Sequence, residues 1–303
     1  MQPVLVVGSV AFDSIETPFG VAGRVVGGAA TYFAVAAAHF TDVRMVAVVG
    51  EDFTDEQMGI FRGRRIDLTG LQQVPGETFR WKGKYSEDLN DRESIYTFLN
   101  VFEEFQPNLP PVYRTSPFVF LGNIHPRLQL EVLDQVESPE FVVADTMNYW
   151  IEKAPEELRQ VLTRVDALVI NDAEARQLSK ESNLVKAMQK LQAMGPRLLI
   201  IKRGEHGVLM FGPDGFFAVP GLPLNNVRDP TGAGDTFGGG LLGYLAECSV
   251  VNHDTLTRAV IAGSTMASFS VEAFGLERLL CVTSDEIQQR FLEFRRLTSF
   301  NEL

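Results

Sequence analysis

The sequence predicts a layered α/β fold in which a mostly parallel sheet is covered by helices on both faces. Short apolar runs alternate along the chain with segments of helical periodicity, which is the order that builds parallel sheets. The runs that we expect to be strands lie near residues 4–10, 43–49, 117–122, 141–145, 167–171 and 198–202. With 303 residues, 45% of them hydrophobic, the chain can bury a large core as a single domain over residues 1–303.

The first predicted strand is Val4-Leu-Val-Val-Gly-Ser-Val10, and Ala11-Phe-Asp13 follows it directly. A glycine pair, Gly27-Gly28, then opens an apolar helix from Ala29 to Phe40. An Asp after a strand is a common turn residue, whereas paired glycines let another group approach the backbone closely. This region is therefore either a plain strand and turn or one wall of a binding site.

Residues 76–104 interrupt the α/β alternation. Aromatic and basic residues alternate over residues 79–85, a polar turn follows at 88–92, and a second extended run covers 94–100. This pattern predicts a β-ribbon with one apolar face, and such a ribbon is not stable alone. Its apolar face must cover the substrate cleft, a second subunit or the edge of the protein's own core.

Two later strands end in polar motifs. The run over 167–171 leads into Asn171-Asp-Ala-Glu174, which fits a helix N-cap with a Glu three residues on, Asn replacing Ser or Thr. The run over 198–202 leads through Lys202 into a turn with Gly204 and Gly207. Such turns at the carboxyl ends of strands are where α/β sheets offer their backbone to nucleotides.

The most informative segment is Asp229-Pro-Thr-Gly-Ala-Gly-Asp-Thr236, which precedes an apolar helical run. Small residues let the amides of Gly232, Ala233 and Gly234 converge, and a helix starting there adds its positive end, so the segment can hold an anion. Asp235 beside that hole is well placed to accept a proton from an attacking hydroxyl. The segment predicts phosphoryl transfer with Asp235 as base, the alternative being a glycine-rich helix start capped by Asp235.

Composition excludes several classes of function. The net charge of −12 and a pI near 4.9 argue against nucleic-acid binding, which needs a basic surface. The sequence lacks the phosphate-loop, dinucleotide, zinc-protease and protein-kinase motifs. Because the chain enters a strand at once and has no apolar run of about 18 uncharged residues, we expect a cytoplasmic protein that does not insert into a membrane.

Taken together, the segments described above resemble, in their order, the signatures of the ribokinase-like (PfkB) kinases, which phosphorylate sugars and nucleosides. The resemblance runs from residue 4 to about 275. It implies a ribokinase-like three-layer α/β/α fold with a small β lid inserted at about 14–25 and 76–104. It also implies transfer of the γ-phosphate of Mg-ATP to a hydroxyl of a small sugar-like substrate, with Asp235 as the general base.

On the substrate side, the resemblance assigns the holding of substrate hydroxyls to Asp13 and the close backbone approach to Gly27 and Gly28. Ribokinase-type enzymes have Asn at the positions of Ala11 and Tyr32, which counts against ribose itself. Tyr32 could stack on a ring or donate a hydroxyl, so a nucleoside remains the alternative to a sugar. A nucleotide- or sugar-binding regulator without turnover is a third reading, since fold does not settle function.

On the nucleotide side, the resemblance places the Asn-x-x-Glu element near the ATP phosphates, with Glu174 organising Mg²⁺ through water. The ATP-binding residues that it implies are Asn171, Glu174, Lys202, Gly204 and Gly207. Lys202 could pair with the phosphates or point to water. Asp229 and Thr231 match positions that form a monovalent cation site in relatives, which makes K⁺ a possible activator; otherwise they only shape the turn. The β lid closes over substrate in this family and often joins two subunits, so a homodimer is expected.

Overall fold

The computed structural model describes residues 1–299, in which thirteen strands form two sheets. The strands are β1 (Val4–Val7), β2 (Ala11–Thr17), β3 (Gly20–Gly27), β4 (Val43–Val49), β5 (Ile66–Gln73), β6 (Phe79–Tyr85), β7 (Arg92–Phe98), β8 (Phe118–Leu121), β9 (Phe141–Asp145), β10 (Ala167–Asn171), β11 (Leu198–Lys202), β12 (Val208–Gly212) and β13 (Gly215–Val219).

The main sheet has nine strands in the order β13-β12-β11-β10-β9-β8-β1-β4-β5. Across the sheet, every neighbouring pair between β11 and the β5 edge is parallel. The pairs β11-β12 and β12-β13, at the opposite edge, are antiparallel. The prediction of a mostly parallel sheet is confirmed, and each of the six predicted runs contains a strand of this sheet. β5 and β13, the two edge strands of this sheet, lie outside the predicted runs. β5 is only partly buried and is interrupted by Gly70 and a register shift, so its apolar pattern is weak.

Helices cover both faces of the main sheet. They are α1 (Ala29–Ala37), α2 (Asp55–Met58), α3 (Pro126–Leu133), α4 (Asn148–Lys153), α5 (Pro155–Leu162), α6 (Asp172–Ser179), α7 (Leu184–Gln192), α8 (Ala233–Cys248), α9 (His253–Ser270) and α10 (Ser284–Thr298). Val4 and Val6 pack with α1, α8 and α9, whereas Leu5 and Val7 pack with α3, α5, α6 and α7. None of these helices is long and apolar enough to cross a bilayer.

The second sheet has four strands in the order β3-β2-β6-β7. It combines the hairpin after β1 with the ribbon over residues 79–98, where β2 and β6 pair in parallel. Asp13 lies inside β2 and stands in register with Trp81 of β6, so both side chains are on one face. The expectation that Asp13 lies at the end of the first strand is therefore wrong: β1 ends at Val7, and a new strand starts at Ala11.

A tight junction links the two sheets and starts α1. The carbonyl of Ser9 accepts a hydrogen bond from the Ala30 amide at 2.9 Å, and the Ser9 hydroxyl accepts one from the Ala29 amide at 3.1 Å. Gly28 precedes the helix with φ of 92°, and a β-carbon added there would lie 2.5 Å from the Ser9 carbonyl oxygen. Glycine at 28 is thus required by both conformation and space.

Candidate active site

Polar side chains meet at the carboxyl edge of three adjacent strands. Asp145, Asn171 and Lys202 end β9, β10 and β11, and Asn171 stands in register with Lys202. Helix α8 begins opposite them at Ala233. These elements enclose a cavity of about 1090 Å³, whose lining includes Asn171, Glu174, Lys202, Gly204, Gly207 and residues 232–235. The structure therefore brings together all the residues predicted to bind ATP and the predicted anion hole.

The turn before α8 is built on Asp229, whose side chain is buried. One carboxylate oxygen accepts from the Thr231 amide at 2.8 Å and the other from the Gly275 amide at 2.9 Å. Gly232 then adopts the left-handed conformation with φ of 72°. A β-carbon added at Gly232 would lie 2.4 Å from the ring of Tyr32, so the turn passes directly over that ring.

Of the three amides predicted to form the anion hole, two are free to bind an anion. The Ala233 amide donates to the carbonyl of Pro230 at 3.2 Å, as part of the turn. The amides of Gly232 and Gly234 donate to no acceptor within residues 1–299. In this conformation the anion hole therefore has two free amide donors where three were predicted, although Ala233 still begins the helix.

Asp235 lies in the first turn of α8 and lines the cavity. Its Oδ1 is buried and has no hydrogen-bond partner among the described residues, an arrangement that costs free energy unless a ligand uses it. Burial raises the pKa of Asp235 to about 7, the charge of Asp145 adds to the rise, and Lys202 and Arg92 oppose it. A carboxyl with a pKa near neutrality is suited to act as a general base.

Lys202 points into the cavity. Its Nζ lies 3.9 Å from Oδ1 of Asp145, and only 19% of its side chain is exposed. A β-carbon added at Gly234 would lie 2.7 Å from this Nζ, so the ammonium sits beside the start of α8. Burial alone would lower the pKa of Lys202, but the charges of Asp145, Glu174 and Asp235 outweigh it and the pKa is raised. Lys202 is thus a charged group inside the site and does not point to bulk water.

The Asn171 and Glu174 pair caps α6. The Asn171 side chain accepts from the Glu174 amide, and the Glu174 carboxylate accepts from the Asn171 amide, each at 2.8 Å. The capping-box interpretation is therefore confirmed, and both residues also line the cavity. Burial raises the pKa of Glu174 to about 7, against the opposing charge of Lys202.

The loop after β11 needs its glycines for two different reasons. Gly204 and Gly207 have φ of 54° and 82°. A β-carbon added at Gly207 would lie 2.0 Å from the carbonyl oxygen of Val219, whereas one at Gly204 would meet only Oδ1 of Asn90, at 3.7 Å. Gly207 is thus fixed by packing, while Gly204 leaves backbone open toward the cavity and the turn between β6 and β7.

The residues predicted on the substrate side lie together but outside the cavity lining. Asp13 is 4% exposed, and burial raises its pKa to about 7 although the Gly28 amide opposes the rise. A β-carbon added at Gly27 would lie 1.9 Å from Oδ2 of Asp13. Tyr32 is 1% exposed and packs beneath Gly232, so the structure makes it a packing residue in this conformation, in contrast to its predicted contact with substrate.

Asp145, Tyr85 and Arg92 line the cavity but are not among the site residues predicted from the sequence. Asp145 had a signal, because it ends an apolar strand just as Asn171 ends the next one. The sequence pattern places Tyr85 on the apolar face of the ribbon and Arg92 in a polar turn. No local pattern distinguishes these two from other ribbon residues, because their place at the cavity depends on what the second sheet covers.

Comparison with known proteins decides the family. The profile of the pfkB family carbohydrate kinases matches residues 4–280 of this chain. The chain belongs to the PfkB family of carbohydrate kinases. It is similar to the cytidine kinase of Thermococcus kodakarensis, with 31% identity over 82% of this chain and 92% of that protein. The prediction of a PfkB-type sugar or nucleoside kinase is confirmed.

Solved structures show the same fold for this PfkB protein. A nucleoside kinase from Burkholderia thailandensis in complex with inosine has a TM-score of 0.79 at 20% identity, with 96% of this chain and 97% of that chain covered. A ribokinase II from E. coli in complex with ATP and Mg²⁺ has a TM-score of 0.78 at 19% identity, with 97% and 100% covered. The predicted ribokinase-like α/β fold is confirmed.

Proposed function

We propose that this PfkB protein transfers the γ-phosphate of ATP to a hydroxyl of a small sugar-like substrate, with Asp235 as the general base. The observation that carries the proposal is the Asp235 carboxyl itself, which is buried at the start of α8, has a pKa of about 7 and has no hydrogen-bond partner for its Oδ1 within residues 1–299. Beside it, the amides of Gly232 and Gly234 and the positive end of α8 provide an anion site. Asp235 takes the proton of the attacking hydroxyl while the amides bind the oxygens of the transferring group.

The acceptor is held by Asp13 and by the backbone at Gly27 and Gly28. These residues adjoin the turn before α8, which we call the catalytic turn (Asp229 to Gly232), since the charges of Asp229 and Asp235 both act on the pKa of Asp13. Because Asp13 is buried in this structure, the proposal has the acceptor enter when the second sheet moves away from the main sheet. We therefore assign to β2, β3, β6 and β7 the role of a lid, which opens for substrate and then excludes water.

ATP occupies the cavity between α6, the loop after β11 and the start of α8. Lys202 supplies a positive charge to its phosphates, Asn171 holds the start of α6 in place, and the backbone at Gly204 and Gly207 borders the nucleotide. The protein side chains fit Mg²⁺ as a partner of ATP: two carboxylates, Asp145 and Glu174, flank the cavity near Lys202. Bound Mg²⁺ would neutralise phosphate charge, and it commonly takes only one or two carboxylates, filling its shell with phosphate oxygens and water. That fits the finding that residues 1–299 contain no group of three potential protein ligands.

A nucleoside is the second candidate for the acceptor, and the relatives favour it. Most of this chain matches the cytidine kinase of Thermococcus kodakarensis. A nucleoside kinase from Methanocaldococcus jannaschii matches 69% of this chain at 23% identity. A free sugar and the ribose of a nucleoside present the same hydroxyl chemistry to Asp13. The two substrates differ in the base, which needs additional room under the lid.

We further propose a homodimer that joins through the outer face of the lid. Val21 and Phe98 are 71% and 54% exposed, and the Phe98 ring stacks on Tyr96 with centroids 4.9 Å apart. Exposed aromatic and aliphatic groups of this kind on one sheet face are suited to a second copy of the chain. Light scattering of wild type and Phe98→Glu tests this proposal: a monomer in both rules the dimer out.

K⁺ activation remains a prediction. Both carboxylate oxygens of Asp229 accept backbone hydrogen bonds, which supports the reading that Asp229 shapes the turn. They retain lone pairs that a cation could share. Equal turnover in K⁺ and in a large organic cation would remove K⁺ from the mechanism.

The experiment that tests the function is ADP release with Mg-ATP against a panel of sugars and nucleosides, wild type beside Asp235→Asn. We expect one class of acceptor to stimulate ADP release strongly in the wild type and not in the variant. Ligand binding by thermal shift without ADP release for any acceptor would instead support a regulator that binds but does not turn over.

A further inference from the structure

Arg92 opens β7 and stands directly opposite Tyr85 across the β6-β7 ladder. Trp81, Gly83 and Tyr85 follow one another at intervals of two residues on β6, so they share one face of the lid. Gly83 pairs with Ser94 and Tyr85 pairs with Arg92, so Arg92 lies on that face as well. The guanidinium lies 5.1 Å from the centre of the Trp81 indole ring and next to the Tyr85 hydroxyl. Arg92 is thus an exposed residue held at the rim of the cavity by an aromatic face and a phenol.

The surroundings of Arg92 are strongly acidic. Its charge lowers the pKa of Asp13, of Glu174 and of Asp235, three carboxyls from three separate elements of the fold. The carboxyls of Asp145 and Asp229 lie in the same region, and Lys202 is the second cation that acts on Asp145, Glu174 and Asp235. A site with this excess of negative charge binds a polyphosphate only if cations offset both the carboxylates and the phosphate.

We propose that Arg92 is a catalytic residue that the lid places on the transferring phosphoryl group, opposite the Gly232 and Gly234 amides. The inference rests on the proposed function. A guanidinium offers several donors in a planar fork that matches phosphoryl oxygens, and it stays protonated at any working pH. Because Arg92 belongs to the lid, the charge arrives only when the lid covers the acceptor, which couples catalysis to closure.

The transfer step moves one phosphoryl group and one proton. The acceptor oxygen forms a bond to the γ-phosphorus while the bond from that phosphorus to the bridging oxygen breaks. The acceptor proton passes to Asp235, and ADP leaves with the electron pair of the broken bond. Arg92 hydrogen-bonds the non-bridging oxygens, which carry charge throughout the step.

Two contacts position Arg92 for this role. The Tyr85 hydroxyl lies 3.0 Å from Oγ1 of Thr231, which ties the lid next to Arg92 to the catalytic turn. A β-carbon added at Gly83 would lie 2.0 Å from the Trp81 ring, so the absence of a side chain at 83 lets the indole lie flat beside Arg92. Trp81 and Tyr85 are positioning residues here, because they act on the phosphoryl group only through Arg92.

The test compares Arg92→Ala and Arg92→Lys with Lys84→Ala. Lys84 is on the opposite face of the same strand pair and bonds Glu16 at 2.7 Å, so its removal makes the same charge change away from the cavity. The readouts are kcat with the acceptor that the panel identifies, and the affinities for Mg-ADP with and without aluminium fluoride, a mimic of the transferring phosphoryl group.

We expect Arg92→Ala to lower kcat by about 10²–10³, the usual effect of removing one preorganised donor. Aluminium fluoride should no longer tighten ADP binding in that variant, Arg92→Lys should keep part of both effects, and Lys84→Ala should behave as wild type. If Arg92→Ala keeps the kcat and the aluminium fluoride effect of Lys84→Ala, the inference is wrong. A wild type that phosphorylates no acceptor contradicts the proposed function instead, and the aluminium fluoride measurement then decides on Arg92 separately.

Discussion

The Tyr85 hydroxyl lies 3.0 Å from Oγ1 of Thr231, although 146 positions separate the two residues. Tyr85 ends β6 of the second sheet, and Thr231 belongs to the turn that presents Gly232 to the cavity. Both side chains are buried, at 9% and 7% exposure. This buried hydrogen bond joins the second sheet to the turn before α8, and it would have to break for the proposed lid to open.

Tyr85→Phe should therefore loosen the closed state. Losing one buried hydrogen bond costs about 0.5–1.5 kcal/mol, which corresponds to a fall of roughly 2–12-fold in the ratio of closed to open lid. Hydrogen exchange over residues 79–98 should quicken, and kcat/KM for the acceptor should fall. Tyr96→Phe, on the outer face, is the matched control. Equal exchange in both variants would mean that the hydroxyl of Tyr85 does not hold the lid.

Asp235→Asn should lower kcat by about 10²–10⁴, the usual contribution of a positioned general base, with ATP affinity nearly intact. The same change should raise the melting temperature at pH 8. Burial raises the pKa of Asp235 from 3.8 to about 7 in the folded protein, so folding favours the protonated form and stability falls as pH rises between these values. The gain in melting temperature should shrink toward pH 5, and a gain independent of pH would contradict this explanation.

The rate of the wild type should depend on pH through the same group. Because the base must be deprotonated to accept a proton, kcat/KM for the acceptor should rise with pH up to about 7, where Asp235 titrates, and then level off. The measurement is a rate profile from pH 5.5 to about 9 at constant ionic strength. A profile that falls through neutrality would exclude a carboxylate base.

Lys202→Met should move that profile to higher pH. The Lys202 charge lowers the pKa of Asp235, so its removal raises the pKa and delays deprotonation. The KM for ATP should rise as well, because the phosphates lose a cation. Lys186→Met, an exposed lysine on α7, provides the control and should leave both the profile and the KM unchanged.

Gly232→Ala should impair the enzyme more than a change of backbone conformation alone can explain. An added β-carbon would lie 2.4 Å from the Tyr32 ring, at a residue with φ of 72°. Gly63 has φ of 75° and nothing within 4 Å of the added atom, so Gly63→Ala isolates the conformational cost, which is of order 1 kcal/mol. We expect Gly232→Ala to lose most turnover and more stability than Gly63→Ala. Equal losses in the two variants would show that Tyr32 can move aside.

The features that could be predicted from the sequence are those whose cause lies within a few residues. The apolar runs predicted six strands of the main sheet, the Asn171 and Glu174 spacing predicted a capping box, and the glycine turn predicted a helix start beside Asp235. Caps, turns and the burial of a strand depend on neighbouring side chains and on local backbone conformation, so they can be read along the chain.

The tertiary structure determines which distant groups share one environment. It placed Asp145 3.9 Å from Lys202, buried the Tyr32 ring under Gly232, engaged the Ala233 amide within its own turn and brought Arg92 over the acidic cavity. It also added β5, which the interrupted pattern of an edge strand had hidden. Electrostatic interactions act between groups that the fold brings together from far apart in the chain, and burial strengthens them. For that reason the charge balance of the site could not be predicted from any single segment.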